Sequence, residues 1–459
     1  MKHKPNIIII MSDQHTPGAL GCHGNPVMST PHIDRMSAEG VQFDNAYCNN
    51  PVCVPSRMSM LTGLTSSQNN VWCNSDCLSP HYASWPLLMR LGGYETVISG
   101  RSHMLWGDRR HGFTRRLCGD TNPTIAWVKP GRTKMGDSRN MPQGVPNNIG
   151  AREITPHFRH DEQAAQHAED YITAAPDDTP FTLFVGFYQP HAPFLTTPAY
   201  YDLYRDEDIA ARIRRQPGET IPLYQPMTPA EELTESQRIT VQRAYYGMVS
   251  HIDHLVGRII AAAERRSLLD NTIIIYTSDH GEMLGKHNLW HKMVFYEDAV
   301  RVPLIVYAPA LLRGGRTLPH NVSLLDLCPT LLDLAGRQTD LPLTGRSLLP
   351  LLRDDAGAPW DNAIMAETIG IQRGYPGRML KRDNLKLLLY HEQPPVLFDL
   401  EADPDETRNC ADAPAYRDKL QSMLTEIRRG WDVPAINRSF EDSLRHVHYH
   451  HLLSIQESS

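Results

Sequence analysis

The sequence predicts an α/β protein: a large, mainly parallel sheet sandwiched by helices, with a smaller C-terminal α+β unit. Three observations predict it. Short apolar runs of strand length alternate with segments of helical period, the pattern of a parallel sheet covered on both faces. A chain of 459 residues is too long for one small core. After about Pro350 the alternation gives way to a cluster of short strands. The expected division is residues 1–350 for the large α/β unit and 351–459 for a small antiparallel sheet, a helix and a tail.

The elements follow in order. Asn6 to Met11 is a β-branched run and a buried first strand. Thr30-Pro31 places a cap residue before a proline and starts a helix. Cys53 lies at or just before another helix start. Trp85 to Leu91 reads as helix and Thr96 to Ser99 as strand. Residues from about Asp120 to His160 are rich in Pro, Gly and Asn and read as a long loop or insertion of the kind that shapes a substrate pocket. Asp161 to Ala174 is amphipathic, Phe181 to Phe187 is a strand, and Glu235 to Arg266 carries a long 3.6-residue period. Strands recur at Thr272 to Tyr276 and Pro303 to Ala308, and Leu324 to Ala335 is apolar on one face with Pro329 inside. The later strands are Ile364 to Glu367, Arg378 to Lys381, Leu385 to Tyr390 and Val396 to Leu400. Asp412 to Trp431 reads as a closing helix with Pro414 in its first turn. The His-rich tail His446 to His451 is expected to pack on the body or on a neighbouring subunit.

Composition narrows the function. A formal net charge of −7 argues against nucleic-acid binding and against attachment to an anionic membrane. No apolar run reaches the roughly 18 residues of a spanning helix. The start, Met1 to Met11, lacks a signal-peptide cleavage pattern, so a cytoplasmic location is expected. The eight cysteines are thinly spread, and Cys73 and Cys77 read as ordinary packing.

Chemistry gathers at the carboxyl ends of parallel strands. Ser12-Asp13-Gln14-His15 follows the first strand, and Ser278-Asp279-His280-Gly281-Glu282 follows the strand at 272 to 276. Two carboxylates, a carboxamide and an imidazole on adjacent strand ends could hold one divalent cation; oxygen ligands suit Ca²⁺, Mg²⁺ or Mn²⁺, and the imidazole leans toward Mn²⁺. Either motif alone is better read as a helix cap. Cys53-Val54-Pro55-Ser56-Arg57 would place Cys53 where the free N–H groups of a helix start favour an anion, with Arg57 one turn on. Arg101-Ser102-His103, Tyr188 to Phe194 with His191, and His291-Lys292 all lie in loops after strands on the same edge. A tetrahedral dianion needs such cations and donors in number, and a near-neutral imidazole can pass a proton.

Together these motifs resemble the type I sulfatases of the alkaline-phosphatase-like superfamily. The likeness runs from Asp13 through Thr30 to Arg35, Cys53 to Gly63, Gly100 to His103, Pro190 to Pro193, Ser278 to Gly281 and Lys292 to Glu297, and on to Gly345 to Leu348 and Leu397 to Pro404. The resemblance implies that Cys53 is oxidised by a formylglycine-generating enzyme to formylglycine, whose hydrate is the nucleophile. It implies Asp13, Gln14, Asp279 and His280 as ligands of one divalent ion, Ca²⁺ by family with Mn²⁺ or Mg²⁺ as alternatives, joined by the residue at 53. Arg57 would stabilise the hydrate, His191 and Lys292 would bind sulfate and protonate the leaving oxygen, and His103 would take the last proton. Arg101 and Asn74 would contact the transferred group. The implied substrate is a small or aryl sulfate ester, and a homo-oligomer is compatible.

Gln14 and His280 depart from the commonest sulfatase pattern, which has Asp and Asn there, and resemble choline sulfatases and phosphonate monoester hydrolases instead. A phosphonate monoester or phosphodiester hydrolase is therefore the alternative. That subgroup lacks the basic-x-His element present here as Arg101 to His103, which tips the sequence toward sulfate. Where many sulfatases carry Lys, Arg101 keeps the charge but not the point geometry. Trp106, Trp127 and Tyr188 are candidates for a cage around a quaternary ammonium.

Overall fold

The computed structural model describes residues 4–104, 110–120, 148–210, 233–355, 359–369 and 375–457, with side chains of the last helix as far as Arg445. Trp106, Trp127, most of the expected insertion and the His-rich tail side chains lie outside these residues.

The strands in chain order are β1 (Asn6–Ser12), β2 (Val41–Tyr47), β3 (Glu95–Gly100), β4 (Arg115–Cys118), β5 (Gly150–Ala151), β6 (Phe181–Gly186), β7 (Leu195–Thr196), β8 (Thr272–Ser278), β9 (Leu304–Tyr307), β10 (Arg316–Ser323), β11 (Ala363–Thr368), β12 (Gly377–Arg382), β13 (Leu385–Tyr390) and β14 (Val396–Asp399). Eight of them form one sheet in the order β10-β2-β9-β8-β1-β6-β3-β4. All neighbours are parallel except β9, which runs against both β2 and β8. Alternate residues of β1 explain the two layers: Ile7, Ile9 and Met11 face one core, Ile8 and Ile10 the other. Burial of both faces is why the run is continuously apolar. The helices Pro156–Ala174 and Glu235–Arg265 cover the second face.

The sequence misses five of the described strands: β2, β4, β10 and the two-residue β5 and β7. β2 reads as a mixed run, VQFDNAY, and β10 carries Pro319. β10 is an edge strand with a register shift between Leu318 and Asn321, and there a proline costs no ladder bond. The expected loop ends earlier than its composition suggests, since a helix begins at Pro156, capped by Thr155 Oγ1, which accepts from Phe158 N. The expected 412–431 helix is a 3₁₀ turn at Pro414–Tyr416 followed by Arg417–Ile427, and the tail forms a further helix, Val433–Glu457. Cys73 is buried as expected, whereas Cys77 is exposed.

The small sheet, β11-β12-β13-β14, is antiparallel and packs on the helix Arg417–Ile427. A buried ionic knot ties it to the large sheet. Lys386 Nζ on β13 donates to Glu297 Oε1 (2.8 Å) and Glu406 Oε1 (2.7 Å), while Tyr47 OH at the end of β2 donates to Glu297 Oε2 (2.8 Å). The last helix adds a second tie. Ile436, Phe440 and Leu444 pack with Val52, Trp72, Cys73 and Ile369, next to Met293. Val52 and Met293 flank Cys53 and Lys292 in sequence, so this helix braces two loops of the candidate site.

Candidate active site

The parallel pairing brings the strand ends to one edge. Ser12 at the end of β1 sits opposite Ser278 at the end of β8, so Asp13 and Asp279 emerge side by side. Gly100 at the end of β3 pairs with Gly186 at the end of β6. A Cβ on Gly186 would come 1.7 Å from Arg101 O, and one on Gly100 would come 2.3 Å from Gly186 O. Only glycine lets the two strands pinch and aim Arg101 to His103 at the site.

Ligand atoms of Asp13, Cys53, Asp279 and His280 all lie within 4.8 Å of one another, and all four residues are buried. Cys53 is the first residue of the helix Cys53–Thr62, whose cap residue, Val52, supplies no side-chain hydrogen bond. Its Sγ lies 3.1 Å from His280 Nε2 and 3.7 Å from Asp13 Oδ1. Burial, reinforced by Asp13, pushes the Cys53 thiol up to about 12. A thiol at this position is protonated at neutral pH and a poor nucleophile.

Arg57, one turn on, holds both acids: Nε donates to Asp279 Oδ2 (2.8 Å), and Nη2 lies 3.4 Å from Asp13 Oδ2. Arg101 Nε donates to the same Asp13 oxygen (3.1 Å). Burial alone would raise the Asp13 carboxyl. His191, Arg101, Arg57 and Lys292 reverse that and hold it well below the usual carboxylate range. His280 Nδ1 donates to the Gly281 carbonyl (3.0 Å), which leaves the Nε2 lone pair facing Cys53 and the acids. Burial lowers its pKa, so the ring is a neutral ligand. Ionised carboxylates and a neutral imidazole nitrogen, converging and buried, fit a divalent cation.

Gln14 stands at φ 70. Its Nε2 donates to Glu282, and its Oε1 accepts from Lys292 Nζ. Lys292 Nζ also donates to His191 Nε2 (2.7 Å), and His191 Nδ1 donates to the Ala192 carbonyl (2.7 Å). Asn74 Oδ1 accepts from Val54 N (2.9 Å), and its Nδ2 lies 3.8 Å from Cys53 Sγ. Asp76 fixes that loop by accepting from Trp72 N and Cys73 N.

Arg101 is more committed than its sequence role suggests. Nη1 donates to Asp120 (3.2 Å) and Tyr188 OH (2.9 Å), and Nη2 donates to His103 Nδ1 (2.8 Å). With Nε on Asp13, one of its five hydrogens is left for an anion among the described residues. All eleven expected site residues therefore meet at one edge, except that Arg101 mostly serves other side chains. Two contributors escape sequence reasoning. Glu282 is visible in the 278–282 motif but carries no role until Gln14 is seen against it. Asp120 accepts from Ser102 N (3.1 Å) and His103 N (2.7 Å) as well as from Arg101, and nothing in its sequence context marks it.

Comparison with known proteins identifies the family of the chain as a whole. The sulfatase family model matches residues 5–337, and the model for the N-sulphoglucosamine sulphohydrolase C-terminal region matches 285–430. A choline-sulfatase of Rhizobium meliloti strain 1021 is 31% identical over 96% of this chain and 89% of its own. An arylsulfatase of Clostridium perfringens strain 13 is 28% identical over 92% of this chain and 93% of its own. The phosphonate monoester hydrolase of Agrobacterium radiobacter shares the fold, with a TM-score of 0.76 at 23% identity, covering 93% of this chain and 95% of its own.

Proposed function

The chain belongs to the sulfatase family and is a sulfuric ester hydrolase, and on that premise we propose that it acts on a small or aryl sulfate ester with formylglycine at position 53 and one divalent cation. The observation that carries this reading is the convergence of Asp13, Cys53, Asp279 and His280 at a helix start. Asp13, Gln14, Asp279 and His280 would hold the cation, which would supply Lewis-acid polarisation of the bound anion. Formylglycine supplies a hydrated aldehyde, with one hydroxyl for attack and a second for release.

The side chains supply the rest. Arg57 neutralises the paired acids and keeps their oxygens turned inward. Lys292 and His191 share a hydrogen bond and hold a proton for the leaving oxygen. Asn74 and the spare Arg101 hydrogen orient the anion. The same reading takes residues 1–350 as the catalytic unit and 351–459 as its accessory, a formylglycine-generating enzyme as maturation partner, and the cytoplasm as the compartment. No helix among the described residues is long and apolar enough to cross a membrane.

Intact mass of the peptide containing Cys53 tests the nucleophile: an aldehyde supports the reading and an unmodified thiol overturns it. The ratio of kcat/KM for an aryl sulfate and an aryl phosphonate tests the substrate class. A strong preference for the phosphonate would favour phosphonate ester hydrolysis instead.

A further inference from the structure

Gln14 is held at every polar atom. Its backbone stands at φ 70, a left-handed conformation uncommon outside glycine. The Gln14 N–H donates to Asp279 Oδ1 (3.1 Å), and its carbonyl accepts from Tyr245 OH (2.6 Å), which itself accepts from Thr16 N (3.0 Å). In the side chain, Nε2 donates to Glu282 Oε2 and Oε1 accepts from Lys292 Nζ. A lysine ammonium has donors only, so the amide atom facing it must be oxygen. The atom facing Glu282 is then the NH₂ nitrogen, and Glu282 must accept.

Glu282 is placed for this. It is fully buried, two residues past His280. Its Oε1 accepts from Leu284 N (3.0 Å) and His291 N (2.7 Å). Those two bonds fold the 282–292 loop around the carboxylate and leave Oε2 for Gln14. Lys292 directly follows His291, so one carboxylate fixes both the loop that carries the lysine and the rotation of the amide. When Lys292 turns to the leaving oxygen, Glu282 is the residue that retains the direction of the amide.

We propose that Glu282 is a positioning residue for the metal site: by taking the Gln14 NH₂ group, it turns Oε1 toward the cation shared with Asp13, Asp279 and His280. This accounts for a carboxamide at position 14. A carboxylate there would set two buried negative charges against each other, and an apolar side chain would leave Glu282 without its donor. The inference rests on the ligand set proposed above and not on the chemistry of residue 53.

Mn²⁺ binding to the full chain, followed by isothermal titration calorimetry, tests it without turnover. In Glu282→Gln the two backbone N–H groups still hold the side-chain oxygen, so an NH₂ group faces Gln14 and the Gln14 oxygen turns to it. Mn²⁺ affinity should fall about tenfold or more, as for other outer partners of metal ligands. Gln14→Met should weaken binding at least as much. The double variant should bind within about threefold of Gln14→Met, because Glu282 acts only through Gln14. Losses that multiply would mean that Glu282 acts by its charge alone, and a Glu282→Gln affinity within about threefold of wild type would mean that the amide needs no partner; either overturns the proposal. Wild type gives a check that needs no variant to fold. Its crystal structure with Mn²⁺ should show Gln14 Oε1 on the metal and Nε2 on Glu282, and an amide turned away from Glu282 overturns the proposal. Absence of Mn²⁺ binding by wild type would overturn the ligand set and the proposal with it, whereas failure of the formylglycine reading is seen separately, in the mass of the Cys53 peptide.

Discussion

Replacing Arg57 with methionine should convert the acid cluster into a measurable metal sensor. Arg57 is 2% exposed and contacts two fully buried carboxylates. Asp13 would keep Arg101 on the same oxygen, so the loss falls mainly on Asp279. The remaining Asp279 contacts are N–H groups of Gln14 and His280 on Oδ1. Removing one partner of a buried ion pair costs about 3–5 kcal/mol, a large part of a typical stability of about 5–15 kcal/mol. A cation bound to the same acids would return stability in proportion to its occupancy, about 2.7 kcal/mol at one hundred times its dissociation constant. Urea unfolding of both proteins, in chelator and in saturating Mn²⁺ or Ca²⁺, reads both quantities. The variant should lose about 3–5 kcal/mol in chelator and gain at least as much from metal as wild type, because the competing guanidinium is gone. A loss below about 1 kcal/mol in chelator, the range of exposed pairs, would refute the assignment of Arg57 as compensating charge. A gain from metal in neither protein would refute the ligand set.

Other outcomes are specific as well. Cys53→Ala should abolish turnover and keep the fold, and full activity in a purified sample free of wild type would end the nucleophile assignment. Glu406, deep in the ionic knot, is raised to about 7 by burial, with Glu297 opposing its charge. A raised carboxyl favours the folded state most below its ordinary pKa and loses that contribution as pH rises through the folded value. Glu406→Gln should therefore gain stability relative to wild type between pH 5 and pH 8, and a relative stability that is flat or falls across that range contradicts the placement. Phe440→Ala should cost about 3–5 kcal/mol and lower kcat/KM, since the cluster it leaves braces Val52 and the Asn74 loop; stability lost with unchanged kcat/KM would show that the last helix is not coupled to the site.

The central strands were legible because burial on both faces leaves β1, β6 and β8 without charged residues. Asp13, Gln14, Asp279 and His280 were legible for a related reason: they directly follow β1 and β8. β2 and β10 were not, since their polar residues are paid for by neighbours that only the fold supplies, such as Ser37 Oγ donating to Gln42. The helix Val433–Glu457 hid behind its histidines. In the site, residue types could be read but commitments could not. Arg101 looks like an anion ligand until Asp13, Asp120, Tyr188 and His103 are seen to use it.

If Cys53 is oxidised as proposed, its burial sets a clock on maturation. The residue is inaccessible in the finished fold, so an enzyme that oxidises it must reach the chain earlier. Cys53 meets Asp13 and His280 only when β8 has joined β1, and Ser278 is synthesised 225 residues after Cys53. At about 5–20 residues per second, the ribosome leaves the side chain open for roughly 10 to 45 s. Yield of active protein is then decided by a race between oxidation and folding, and slower translation of residues 54–278 should raise the aldehyde content of the product.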